Sequence, residues 1–197
     1  MLVKAAKKIT GSMTRTKKMP GLSYSLPAWE CITGAKLRKV KGSVCAGCYA
    51  LKGNYTRYPA INAAQYYRLQ SLRDPQWIPA MIAQIKRQKV FRWHDAGALQ
   101  GAWHLKNIME VCNQTPATMH WLPTQERQYL PLGSYPKNLI IRLSNAKNNT
   151  QPGQAWTHWS TVVDTGGDCP ASKQGNICGS CRRCWNPEVK HVTYPKH

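Results

Sequence analysis

Acidic side chains are scarce in this chain: eight Asp and Glu stand against 28 Lys and Arg among 197 residues, a net charge of +20. Phenylalanine is nearly missing too, with one residue against eight Trp and nine Tyr. No apolar run approaches the roughly 18 residues that a membrane-spanning helix needs, so a spanning segment is excluded. Residues 1–9 are basic with no apolar stretch behind them, so a secretory signal is not expected. There is no G-x-x-x-x-G-K segment, which excludes a P-loop; Gly166-Gly167 reads as a tight turn before Asp168. Apolar residues make up 42%, enough for a buried core and against wholesale disorder. The length fits a single domain over residues 1–197.

The acids are few enough to name: Glu30, Asp74, Asp95, Glu110, Glu126, Asp164, Asp168 and Glu188. Residues 1–58 hold 12 basic residues and one acid, Glu30. Such a surplus repels itself and favours a polyanion partner, with nucleic acid the expected one. Trp and Tyr pair an apolar ring with a polar handle and stack on bases. Tyr49, Tyr55, Tyr58, Tyr66 and Tyr67 lie in or after the most basic stretch, where they serve either single-stranded nucleic acid or a helix packing seam.

Seven of eight cysteines fall into two sets. Cys31 is followed after thirteen residues by Cys45-Ala46-Gly47-Cys48; Cys169 is followed after eight by Cys178-x-x-Cys181-x-x-Cys184. A C-x-x-C turn aims two sulfurs at one point. The C-x-x-C-x-x-C run resembles part of the ferredoxin signature for a [4Fe-4S] cluster, the expected cofactor. Paired C-x-x-C knuckles also build four-thiolate zinc sites, so zinc stays open as the alternative, and disulfides as a third. The expected metal ligands are Cys31, Cys45, Cys48, Cys169, Cys178, Cys181 and Cys184. The leading assignment puts the first three on one cluster with one C-terminal cysteine. A cluster held by three thiolates keeps one iron open for chemistry. Cys112, on the apolar side of a helical pattern, reads as a buried core residue.

Residues 1–20 read as a basic arm, 22–26 as a short strand, 31–53 as the first cysteine loop and 55–72 as a helix. A second helix is expected from Asp74-Pro75 to about residue 88. Strands at 89–94, 118–122, 138–143 and 159–163 then alternate with a helix at 102–113 and a short one after Thr124. The second cysteine loop spans 165–185. This rhythm gives an α/β fold, a small or incomplete (β/α) barrel-like parallel sheet with Cys-rich loops at the strand C-terminal ends, with an open doubly wound sheet as the alternative. Polar residues leave those ends: His94 and Asp95 as a candidate acid–base pair, Arg142 and Ser144 as candidate cofactor-binding residues. His104 and His120 read as structural; His158, His191 and His197 carry no spacing signal.

Cys45-Ala46-Gly47-Cys48-Tyr49-Ala50, then Phe91-Arg92-Trp93-His94-Asp95-Ala96-Gly97, then Ile141-Arg142-Leu143-Ser144, then Cys169-Pro170-Ala171 and Cys178-x-x-Cys181-Arg182-x-Cys184-Trp185 resemble the phage-encoded gene-product-88 domain family over residues 22–185. Ala98 stands where that pattern usually has an acid. The resemblance implies a phage origin, the cytoplasm of an infected cell and a Cys-bound metal centre. A barrel with a cluster at its mouth is similar in outline to radical S-adenosylmethionine enzymes. Their C-x-x-x-C-x-x-C loop is absent here, which leaves S-adenosylmethionine a secondary expectation. The functional expectation is an iron–sulfur protein with cluster-dependent chemistry on a nucleic acid, nucleotide or sulfur-containing small molecule. The alternative is a zinc- or cluster-stapled nucleic-acid-binding protein without catalysis.

Overall fold

A computed structural model describes residues 1–130, 133–153 and 155–196; His197 lies outside the described residues. Six strands, β1 (Leu22–Tyr24), β2 (Val90–Trp93), β3 (Met119–Thr124), β4 (Leu139–Ser144), β5 (Trp159–Val163) and β6 (His191–Pro195), form one sheet. They lie side by side in chain order, and every pairing is parallel. Six α-helices accompany them among the described residues: α1 (Val3–Thr10), α2 (Ile32–Leu37), α3 (Asn54–Arg57), α4 (Pro59–Ser71), α5 (Trp77–Ile85) and α6 (Ala102–Asn113).

Monotonic strand order is the order of a barrel, not of a doubly wound sheet, whose order reverses at a switch point. Here β1 and β6 end the row without pairing, so the sheet stays open. The α/β fold with an incomplete barrel-like parallel sheet is therefore the one observed.

Alternation along the strands sorts the two faces. Tyr24, Phe91, Trp93, Leu122, Leu139 and Ile141 join the main core with Trp77, Met81 and Ile85 of α5 and Leu105, Ile108, Val111 and Cys112 of α6. The opposite face carries Arg92, in register with Trp121 of β3, and Arg142, in register with Pro123. No helix covers it. The C-terminal segment does: buried Trp185 sets its ring 5.2 Å from Trp121 and donates its Nε1–H to the Phe91 carbonyl at 2.8 Å.

Four elements differ from the sequence expectation. Residues 3–10 form α1 rather than a loose arm, because Ala6 and Ile9 pack on Ala80 and Ala83 of α5. The helix expected over 55–72 is split, since Pro59 starts α4 and leaves α3 as a single turn. β6 is an added edge strand, and the helix expected after Thr124 is one 3-10 turn at Arg127–Tyr129.

Candidate metal centres

The first cysteine loop lies across the C-terminal ends of four strands. Cys31 and Cys48 pack beside Ala96, just beyond β2. The Val44 amide donates to Ala146 O at 3.0 Å, just beyond β4. Beyond β3, fully buried Glu126 accepts the Thr33 amide at 2.9 Å and the Thr33 hydroxyl at 2.6 Å, capping α2, which lacks an N-cap bond of its own.

Cys31, Cys45 and Cys48 are free thiols and only partly exposed. A Cβ built on Gly34 would stand 3.8 Å from the sulfurs of both Cys31 and Cys45 and 2.8 Å from Cys31 Cβ. Gly34 thus leaves open the space beside both sulfurs. Burial pushes the Cys31 thiol up to about 12, helped by neighbouring Cys48, Cys45 and Glu126 and opposed by Arg38. Burial and Cys48 push Cys45 up to about 11. Cys31 and Cys45, poorly hydrated and raised, hold their protons until a cation offsets the charge, which is the donor chemistry of a soft metal site.

Beside this trio lies a buried polar group. Asp95 is 2% exposed; its Oδ2 accepts the Tyr55 hydroxyl at 3.0 Å, and its Oδ1 has no partner. The Tyr49 hydroxyl donates to the Asp95 carbonyl, although the rest of the residue is 47% exposed. His94 sits at φ 52°, a left-handed conformation costly for a non-glycine residue, with its ring 5.2 Å from His104 and neither nitrogen partnered. Burial, with Arg92 nearby, depresses His94 to about 3, so it is neutral at physiological pH. His94 and Asp95 are therefore at the strand end, but the His94 ring lies toward α6 while Asp95 meets Tyr55 beside the thiols. They do not form a hydrogen-bonded pair.

The second set occupies other ground. Cys169 donates its amide to Thr193 O of β6 at 3.0 Å, and Cys178 to Lys18 O, ahead of β1, at 2.8 Å. Cys184 Sγ is 3.1 Å from the Tyr194 hydroxyl. Burial raises Cys178, with Cys169 and Cys181 adding to it; burial also raises Cys184 to about 11, with Cys169 adding and Tyr194, Arg142 and Arg92 opposing. Proximity thus groups the thiols as three and four.

Arg142, fully buried, is not open to a cofactor. Its guanidinium donates to the carbonyls of Cys184, Arg183, Asn186, Val189, Lys190 and Trp159. It anchors the second cysteine segment. Ser144 Oγ meets Ser160 Oγ at 3.3 Å. Cys112 is core, as expected. Glu126 is the residue that sequence reasoning passed over. Its scarcity as an acid just beyond a strand was the available signal.

Among the described residues, no three His, Cys, Asp or Glu side chains already converge as the ligand set of a single metal ion, and no helix is long and apolar enough to cross a membrane. The family model described as Gene product 88 matches residues 1–187. No curated protein and no solved structure matches the chain.

Proposed function

The chain belongs to the Gene product 88 family, and from that premise we propose that it is a phage iron–sulfur protein, working in the host cytoplasm, whose N-terminal thiols face a nucleic-acid substrate. Cys31, Cys45 and Cys48 would hold the cluster. The carrying observation is that the Cys31 and Cys45 sulfurs flank side-chain-free Gly34 while Cys48 packs with Cys31 on Ala96, next to Asp95 and at the carboxyl ends of the strands. A three-thiolate cluster supplies redox or Lewis-acid chemistry at its open iron.

The chain's own residues do the rest. Asp95, fixed by Tyr55 through Oδ2, offers Oδ1 to a substrate proton or donor. Arg38 beside Cys31 and Cys45 offsets cluster charge. The surrounding rim is exposed, basic and aromatic. Lys36, Lys39, Lys41, Lys52 and Arg57 interleave with Trp29, Tyr49 and Tyr58. The ion pairs found among the described residues, Arg183–Asp168 and Lys196–Asp164, lie elsewhere. Cations without carboxylate partners, next to open aromatic faces, favour a single-stranded nucleic acid. The same rim supports a second reading, a metal-stapled nucleic-acid binder without catalysis.

Protein purified without oxygen should be brown and carry iron and acid-labile sulfide in equal amounts. A single-stranded oligonucleotide should perturb its visible spectrum, and log affinity should fall linearly with log salt. Salt-dependent binding to a colourless zinc protein would leave the second reading; weak binding even at low salt would sink both.

A further inference from the structure

The second cysteine set forms a bridge that the strands themselves do not. The sheet is open because β1 and β6 do not pair. The segment 169–185 starts on β6, through Cys169 N to Thr193 O at 3.0 Å, and reaches the chain entering β1, through Cys178 N to Lys18 O at 2.8 Å. Between these tethers it crosses the helix-free face. Arg142 holds its far end by the Cys184 carbonyl at 3.1 Å, and Tyr194 of β6 meets the Cys184 sulfur.

The local backbone turns tightly around these cysteines. Cys181 N donates to Cys178 O at 2.9 Å, closing the C-x-x-C turn, and Gly179 inside that turn has φ 54°. Gly175 and Asn176 are also left-handed, at 66° and 60°, and fold the preceding loop back on itself. All four cysteines are free and only partly exposed.

Cations surround this set, and its adjacent carboxylate, Asp168, is paired with Arg183. A closed four-thiolate site holding one divalent ion carries a net charge of about −2 and needs cations near it. Lys18 and Arg92 act on Cys178; Arg142 and Arg92 act on Cys184. The first trio has Arg38, but also the carboxylate of Glu126.

We propose that Cys169, Cys178, Cys181 and Cys184 are a separate, closed four-thiolate metal centre that clasps the open edge of the sheet, binding β6 to the chain entering β1 in place of the missing strand pairing. On binding a divalent ion, four S–H bonds break, four metal–sulfur bonds form and four protons pass to water; no electron is transferred. All four ligand positions are filled by protein, so this centre holds structure and leaves substrate to the first trio. It stands independently of the reading of that trio.

The test is metal and sulfide analysis of full-length protein and two variants, all purified without oxygen. Cys178→Ser should lose one centre and keep the other, whereas Cys45→Ser should keep the C-terminal centre. Hydrogen exchange at the Thr14 and Ser23 amides, which pair at β1, should speed up in Cys178→Ser alone. Zinc, or iron without acid-labile sulfide, remaining in the Cys45→Ser protein supports the proposal and names the metal; iron with equimolar sulfide there would overturn the single-ion site. Loss of all metal in Cys45→Ser, or wild-type metal content in Cys178→Ser, overturns it. If Cys178→Ser does not fold, alkylation of the wild-type protein decides. The four C-terminal thiols should be protected together and released together by chelator; labelling of Cys169 or Cys184 with metal still bound refutes the centre. Metal lost in Cys178→Ser but unchanged in Cys45→Ser would support this centre and sink the N-terminal cluster.

Discussion

Replacing Arg142 by Met keeps most of the side-chain volume and removes the guanidinium that pins the C-terminal cysteine segment to β4. Arg142 donates to carbonyls at 2.8 to 3.5 Å. Several have other donors: Arg183 O accepts from Asn186 N, Asn186 O from Val189 N, and Lys190 O from Trp159 N. Among the described residues, the Cys184 and Val189 carbonyls depend on Arg142. Position 187, three residues past Cys184, is Pro and has no N–H to offer. Two orphaned carbonyls at about 1–3 kcal/mol each give a loss near 4 kcal/mol, a large share of a typical domain's stability. For a chain of this size that is a fall of about 8–16 °C in Tm. Urea unfolding should show a lower midpoint with an unchanged m-value. Arg142→Lys, a point charge that cannot fork, should recover only part. A loss below about 1 kcal/mol in Arg142→Met would refute the argument, because it would mean that the carbonyls find water and that the segment is not anchored there.

Acid should destabilise the protein well above the usual carboxylate range. His94 is depressed to about 3 and His120 to about 4, both by burial, so below pH 6.5 the unfolded chain takes up protons that the folded chain refuses. Stability is then full above about pH 6.5 and should fall by about 2 kcal/mol per histidine between pH 6.5 and 5; a flat urea midpoint over that range would contradict this. Gly97→Ala should cost about 3 kcal/mol, since Gly97 has φ 81° and a Cβ there would stand 2.6 Å from Leu26 Cβ and 2.7 Å from Leu26 O; wild-type thermal stability would rule out the clash. Glu126→Ala removes the cap from α2 and should speed exchange of the Thr33 amide at least tenfold, which hydrogen-exchange mass spectrometry can read. Gly34→Ala should fold but bind less metal at the N-terminal trio, since the methyl enters the space between Cys31 and Cys45; undiminished metal content would mean that the trio does not bind there.

The sequence alone carried most of the sheet. Runs such as 138–143 and 159–163 are apolar and β-branched over a strand's length, and a local pattern needs no partner to be read. It also placed His94, Asp95 and the first cysteine loop at the strand ends, because alternating strands and helices force loops to one side, and the two cysteine spacings follow from chain order. α1 was hidden because its lysines are exposed and its inward face is small; Ala6 and Ile9 become apolar contacts only once α5 lies beneath them. β6 was hidden because it is a short edge strand ending at Pro195, tolerated there since an edge residue need not donate to a neighbour. The sequence spacing already set three cysteines apart from four; only the tertiary structure put the second set on the segment that runs from β6 toward the chain entering β1. The same long-range packing turned Arg142 into an anchor and set Glu126 against α2. A guanidinium or a carboxylate takes its role from whichever carbonyls, amides and thiols the folded chain brings within about 3 Å, and sequence spacing does not encode those meetings.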